Sequence, residues 1–324
     1  MNKQFENFRE IINDAIQNYS FENYQPSELY EACDYILSLG GKRLRPALCL
    51  MGNILFDGDL NDAVKPALAI EYFHNFTLMH DDIMDEAPLR RGKETVHLKY
   101  GTDTGILSGD ALFVSAYRMF EDLDAEKFKA VVSLFSLTAE QLCEGQQYDK
   151  NFETIEEVAE EDYIKMIEYK TAVLVGASLQ IGAITAGAED EDQNCLYEFG
   201  RNLGIAFQLQ DDYLDVFGDE DFGKVYAGDI IENKKTILYI IAKSFADKQQ
   251  AEELKKWYGI SGGGDEKINA VKNIFKATES DKKTKEMIES YTSKAMDFLE
   301  KLKVSDEKKE PLKDLANELM KRKV

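Results

Sequence analysis

Apolar residues recur along this chain at helical spacing. Phe5, Phe8, Ile11, Ile12, Ala15, Ile16 and Tyr19 fall at the i, i+3, i+4, i+7 positions that share one face of a helix. Pro26-Ser27-Glu28 opens a second helix, since proline is tolerated in a first turn, and Gly40-Gly41 closes it. Pro66 lies near the start of a further helix, and Pro88 marks its end or a kink. The same periodicity predicts helices over roughly 105–120, 126–149, 161–186, 193–217 and 234–246. From Tyr163 to Ala186 the pattern is apolar around most of the circumference, which predicts a helix at the centre of a bundle. No stretch alternates with a period of two. Ser261-Gly262-Gly263-Gly264-Asp265 is the one flexible break, ahead of a more charged C-terminal helical hairpin. The expectation is an all-α fold. One domain spans residues 1–324 as a single large helical bundle with a central cavity.

Composition narrows the function. A hydrophobic content of 44% supplies a large core, and the net charge of −22 argues against nucleic acid and anionic membrane as partners. Cys33, Cys49, Cys143 and Cys195 lack metal-binding or redox spacing and read as small core residues in a reducing compartment. The N-terminal residues lack a basic and apolar leader, and no apolar run reaches transmembrane length. A soluble, cytoplasmic protein without stable membrane insertion is expected.

Against this background one acidic pentad occurs twice, as Asp81-Asp82-Ile83-Met84-Asp85 and as Asp211-Asp212-Tyr213-Leu214-Asp215. In a chain this rich in Asp, one such pentad arises by chance about 0.2 times, and two copies are rarer still. Helical spacing stacks Asp81 over Asp85 and Asp211 over Asp215, with Cβ atoms roughly 6 Å apart. Like charges so placed need water or cations. Each pentad follows a largely apolar segment, so a lined cavity is favoured over a solvated face. Hard divalent cations such as Mg²⁺ suit all-oxygen ligands and often share them with substrate phosphates.

Two cationic clusters stand out in so acidic a chain. Gly40-Gly41-Lys42-Arg43-Leu44-Arg45-Pro46 sets three cations at the start of a helix, where backbone N–H groups also favour anions, and Arg90-Arg91-Gly92 follows the first pentad. Lysine meets phosphate as a point charge and arginine as a fork. Either cluster could instead form salt bridges, but beside the pentads both point to diphosphate binding. His74, His80 and His97 surround the first pentad. A metal phosphohydrolase would use His74, His80 and Asp81, leaving the second pentad, Lys42 and Arg45 without a role.

Taken in order, these residues resemble the trans-isoprenyl diphosphate synthases, or polyprenyl synthetases. The resemblance runs from about residue 30 to 240. It rests on Gly41 to Pro46, on His74 six residues before His80, on both pentads and on Arg90-Arg91-Gly92. It continues through Gly101-Thr102-Asp103-Thr104, Gly109-Asp110, Lys170-Thr171, Phe207-Gln208, Gly223-Lys224, Gly228-Asp229 and Lys234. Ala227 and Asn233 stand where the family commonly has glycine, and no proline follows Thr236-Ile237-Leu238. These departures bear on the loop after the second pentad.

The resemblance implies an isoprenoid-synthase fold and a homodimer. It also implies an allylic diphosphate held between the two acidic helices by about three Mg²⁺ ions. Asp81, Asp85 and Asp211 become direct ligands, and Asp82, Asp212 and Asp215 become ligands or their supports. Arg90, Lys170, Lys224 and Lys234 would hold the allylic diphosphate, and Lys42, Arg45, His74 and Arg91 isopentenyl diphosphate. Thr171 and Gln208 would turn oxygen dipoles toward the allylic cation. Phe76, about 7.5 Å below Asp81 along the helix, would floor the space for the growing tail, with small Thr77 beside it and Tyr72 a turn deeper. One bulky floor residue implies a short product, geranylgeranyl (C20) ahead of farnesyl (C15) diphosphate. Two alternatives remain. A class I terpene cyclase has no use for Lys42 and Arg45, and a non-catalytic subunit of a heteromeric synthase usually loses pentad carboxylates.

Overall fold

The computed structural model describes residues 3–218 and 227–321. Its helices in chain order are α1 (Lys3–Asn18), α2 (Ser27–Ser38), α3 (Leu44–Leu55), α4 (Leu60–Met84), α5 (Val96–Tyr100), α6 (Thr102–Arg118), α7 (Ala125–Thr154) and α8 (Glu160–Ile167). After a π turn at Glu168–Ala172 come α9 (Val173–Ala186), α10 (Asp190–Phe217), α11 (Gly228–Ile231) and α12 (Ile237–Phe245). The series ends with α13 (Lys248–Tyr258), α14 (Gly264–Ala277), α15 (Ser280–Lys301) and α16 (Asp306–Met320). The all-α expectation holds. No helix among the described residues is long and apolar enough to cross a membrane.

Four details differ from the sequence reading. A short antiparallel ribbon, β1 (Leu89–Arg90) with β2 (Lys93–Glu94), follows α4. Its two-residue tip is Arg91-Gly92, both at positive φ (54° and 73°), the backbone that matches the twist of a tight hairpin. The helix expected over 161–186 is interrupted by the π turn at Lys170-Thr171. The C-terminal hairpin is three helices, α14 to α16, because the chain turns again after Lys301. Asp85 caps α4 instead of lying within it, although its N–H still bonds the Asp81 carbonyl at 2.9 Å and keeps the i, i+4 geometry.

The chain divides into two compact units, Met1–Ser136 with Ala177–Tyr197 and Lys303–Leu312, and Leu137–Gly176 with Glu198–Leu302 and Lys313–Val324. In the first, Phe73 and Phe120 both pack edge-on against Phe135, with centroids 5.0 and 5.1 Å apart. There α3 and α9 meet backbone to backbone. A Cβ on Gly52 would strike the Leu179 carbonyl, and one on Gly182 the Cys49 carbonyl. The second unit buries Ile167, Ile205, Leu209, Ile237, Ile241 and Phe275 in one cluster. Each such side chain contributes about 1.5–3 kcal/mol by leaving water.

Candidate active site

In the first unit, α4 carries its pentad to the helix end. Asp81 is half-buried, Asp85 exposed and Asp82 1% exposed. Arg90 on the ribbon grips Asp82, with Nε 3.1 and 3.2 Å from its two oxygens and Nη2 2.5 Å from Oδ1. The neighbouring Arg91, at the ribbon tip, points elsewhere and donates to the Gly40 carbonyl. Gly41 takes a φ of 133°, which favours glycine, and a Cβ there would also press on the Arg91 guanidinium. The hairpin thus gives one arginine to the pentad and the other to the glycine loop before α3.

That loop is fixed from below. Buried Arg43 donates to Glu71, to the Leu37 carbonyl (2.6 Å) and to Asn13 (3.2 Å). Exposed Lys42 precedes it, and Arg45 is the second residue of α3. Arg45 Nη1 is 3.4 Å from His74 Nε2, while the buried Arg45 Nε has no hydrogen-bond partner among the described residues. Burial first, then the charges of Arg45, Arg91, Arg90 and Arg43, push the His74 pKa well below the imidazole range. A neutral His74 therefore accepts from Arg45 at Nε2 and keeps its proton on Nδ1. Arg45, His74 and Arg91 come together as expected, and the unpartnered Nε fits an incoming anion. His80 sits with Nε2 3.1 Å from the Ile106 carbonyl and its ring on Phe76. His74 and His80 are thus engaged separately, contrary to the phosphohydrolase arrangement.

In the second unit a cavity of about 350 Å³ is lined by Asp149, Lys170, Thr171, Gln208, Asp211, Asp212, Asp229 and Lys234, among others. The π turn places Lys170 and Thr171 there, and such turns are frequent at functional sites. It presses on α7 and α10. A Cβ on Gly145 would collide with the Tyr169–Lys170 backbone, and one on Gly204 would lie 2.8 Å from Ala172 Cα. Lys170 pairs with Asp149 at 2.5 Å. Asp212, 4% exposed, accepts from Tyr163 Oη (2.6 Å) and Gln208 Nε2 (3.2 Å), and Thr171 donates to Gln208 Oε1 at 3.4 Å. Burial, with Asp229 next, pushes the Asp212 pKa up to about 8. Burial and Asp212 raise the Tyr163 pKa well above the phenol range, so Tyr163 stays a donor.

Asp215 serves the backbone. Its carboxylate accepts the Asp229 N–H at 2.9 Å, and its carbonyl the Ala227 N–H at 3.0 Å. Ala227 and Asn233, standing at the family's glycine positions, keep the left-handed backbone glycine would adopt, with φ of 54° and 60°. Lys234 bridges Asp229 (3.7 Å) and Glu232 (3.0 Å). Lys224 lies outside the described residues. Sequence reasoning missed Tyr163, Asp149 and the role of Asp229. Tyr163 precedes Lys170 by two helical turns, a spacing that places them on one side.

Phe76 stacks on Phe113 of α6 (4.9 Å, 11°) and touches Phe73 (5.6 Å). Thr77 Oγ1 is turned back to the His74 carbonyl at 2.8 Å. Tyr72 is fully buried against Phe21, with its hydroxyl on the Tyr19 carbonyl. The aromatic layer around Phe76 is therefore Phe73 and Phe113, while Tyr72 packs toward α1 and the turn before α2.

Residues 26–278, which include both pentads, match the family model for polyprenyl synthetase. The chain belongs to the polyprenyl synthetase family. It is 38% identical over 318 residues to the geranylgeranyl diphosphate synthase of Saccharolobus solfataricus, covering 95% of each chain. It is 39% identical over 254 residues to the geranylfarnesyl diphosphate synthase of Natronomonas pharaonis, covering 72% of this chain and 74% of the relative. Its structure matches the crystal structure of a geranylgeranyl pyrophosphate synthase at a TM-score of 0.94 and 47% identity over 100% of both chains. Polyprenyl synthetase membership accounts for the co-occurrence of two acidic pentads and separate cationic clusters, which a phosphohydrolase leaves unexplained.

Proposed function

We propose that this chain is a short-chain trans-prenyltransferase that joins isopentenyl diphosphate to an allylic diphosphate, with geranylgeranyl diphosphate (C20) as product. The observation that carries the reading is the second-unit cavity. It gathers Lys170, Thr171, Gln208, Asp211, Asp212 and Lys234, all singled out from the sequence, around one volume. Among the described residues no three His, Cys, Asp or Glu side chains form a ready metal nest. Mg²⁺ is commonly bound by one or two carboxylates together with substrate phosphates, and the oxygens of Asp211, Asp212 and Asp229 fit that use.

Asp81, Asp85 and Asp211 are the proposed direct ligands of about three Mg²⁺ ions, which when bound neutralise the departing diphosphate. Asp82 and Asp212, whose oxygens face Arg90 and Tyr163 with Gln208, back those ligands, and Asp215 holds the Ala227–Asp229 turn. Arg90, Lys170, Lys224 and Lys234 take the allylic diphosphate. Lys42, Arg45, neutral His74 and Arg91 take isopentenyl diphosphate. The Thr171 hydroxyl and the Gln208 amide oxygen offer fixed dipoles to the allylic cation in a site partly closed to water. The alkene attacks that cation, and the departed diphosphate removes the proton, so no side-chain nucleophile is required.

A homodimer is proposed from α6, where Leu107 and Val114, 58% and 61% exposed, lie two turns apart on one face that suits a second copy. A cytoplasmic location and one catalytic domain complete the reading. Phe76 limits the product. Phe76→Ala should lengthen it by at least one isoprene unit and Thr77→Phe should shorten it, as read by chromatography. The test of the function is incubation of purified protein with isopentenyl diphosphate, Mg²⁺ and each C5, C10 or C15 starter. A C20 linear product is expected. A cyclic product formed without isopentenyl diphosphate, or no condensation by the chain alone, would overturn the reading.

A further inference from the structure

Lys267 on α14 is 0% exposed. Its three N–H donors meet three neutral oxygens, Asn233 Oδ1 at 2.6 Å, the Ile260 carbonyl at 2.8 Å and the Ile231 carbonyl at 3.3 Å. No carboxylate pairs with it among the described residues. Burial pulls its pKa below the usual lysine value. An ammonium is expensive to bury even when hydrogen-bonded, and methionine would fill the same space without that penalty. Of the residues that supply these oxygens, Asn233 lines the cavity and Ile231 directly precedes the lining residue Glu232.

The surroundings are shaped to this side chain. Asn233 turns its other end to the Ile260 carbonyl, with Nδ2 3.1 Å away. Gly263 has φ of 107°, and a Cβ there would lie 2.8 and 2.9 Å from Lys267 Cδ and Cβ. The glycine-rich stretch read as a flexible break is thus a turn built around the Lys267 stem. Beyond Asn233, Lys234 lines the cavity with Asp229 and Glu232. Lys235 then caps the end of α7, donating to the Phe152, Glu153 and Ile155 carbonyls at 2.9, 3.3 and 2.5 Å. Lys234 is therefore flanked by two anchored residues, one fastened to α14 and one to α7. Glycine at position 233 would keep the backbone but could not reach Lys267.

We infer that Lys267 is a positioning residue for the allylic diphosphate: through Asn233 and the carbonyls of Ile231 and Ile260 it locks the Gly228–Lys235 segment onto α14 and fixes Lys234 in the cavity wall. This rests on the prenyltransferase reading and gives part of the C-terminal segment a role in it.

The test uses Lys267→Met, Asn233→Gly, their combination, and Asn233→Asp, which keeps the acceptor. Each single loss should raise KM for the allylic diphosphate by about tenfold and leave KM for isopentenyl diphosphate within about twofold. The combination should cost less than the sum of the singles, since both remove the Asn233–Lys267 bond. Asn233→Asp, which keeps the acceptor for Lys267 but loses the donor to the Ile260 carbonyl, should fall between wild type and Asn233→Gly. Backbone amides of residues 228–236 should exchange faster in both single variants without any substrate. Unchanged allylic KM in the folded variants, equal rises for both substrates, or additive losses would overturn the inference. If Lys267→Met does not fold, Asn233→Gly decides alone. If the wild type condenses nothing, the prenyltransferase reading fails while the exchange data still decide whether the latch exists.

Discussion

Asp82 and Asp212 occupy the same place in two copies of one pentad, and the protein treats them differently. Asp82 is met by a full positive charge, with Arg90 at 2.5 Å and Ile83 and Met84 leading to a helix end. Asp212 lies inside a continuous helix and is met by neutral donors, Tyr163 and Gln208, with Asp229 close enough to raise its pKa. The first pentad has its buried carboxylate balanced in advance. The second has neutral donors against its buried carboxylate, and burial with Asp229 pushes the Asp212 pKa up to about 8. A repeated motif therefore need not mean a repeated electrostatic setting. The difference comes from residues outside the motif, an arginine eight positions on in one case and a tyrosine from another helix in the other.

The largest effect should come where the pentads are alike. Asp81→Ala and Asp211→Ala should each lower turnover by about 10³-fold or more at saturating Mg²⁺, because diphosphate departure is then poorly neutralised. Steady-state kinetics check this, and near-wild-type rates in both variants would remove the shared metal role. A smaller effect separates the cationic cluster from either pentad. Arg45→Ala should raise KM for isopentenyl diphosphate by about tenfold with kcat little changed, because it removes binding common to ground and transition states.

Much of this was legible in the sequence because charge is scarce along the apolar stretches of these helices. Both pentads, Lys170-Thr171, Gln208 and the Arg45, His74, Arg91 group announce themselves as polar residues next to apolar periodicity, and the structure gathers Arg45, His74 and Arg91 in one unit and Lys170, Thr171, Gln208 and Asp212 in the other. What stayed hidden depends on contacts distant in sequence or on backbone. Arg90 and Arg91 look equivalent as letters, yet the positive φ of Arg91 and Gly92 turns one to Asp82 and the other to Gly40. The π turn has no sequence signature, and it is read only from the glycines at 145 and 204 that let two helices close on it. Tyr163 opens an apolar stretch that reads as core, and nothing in the sequence singles out Lys267 among the many lysines of the charged C-terminal segment. The expected C-terminal hairpin failed for a similar reason, since three amphipathic helices and two give the same local pattern.

Stability should expose the contrast directly. Arg90→Ala leaves a buried carboxylate without its cation and should cost about 2 kcal/mol, whereas Tyr163→Phe removes one neutral donor and should cost about 1 kcal/mol, both by denaturant unfolding. In metal-free protein the pH dependence has a definite sign. The folded pKa of Asp212 is raised from 3.8 to about 8, so folding binds its proton more tightly. Its contribution is full below about pH 4 and falls as pH rises toward 8, and Asp212→Asn should flatten that part of the stability profile.

The most direct measurement is the proton count when Mg²⁺ and inorganic diphosphate bind at pH 7, obtained by calorimetry in buffers of different ionisation enthalpy. The wild type should release about one proton more than Asp212→Asn, because metal binding displaces the proton that Asp212 holds. Equal proton release by the two proteins would contradict the account in which the raised Asp212 pKa couples the second pentad to the incoming cation.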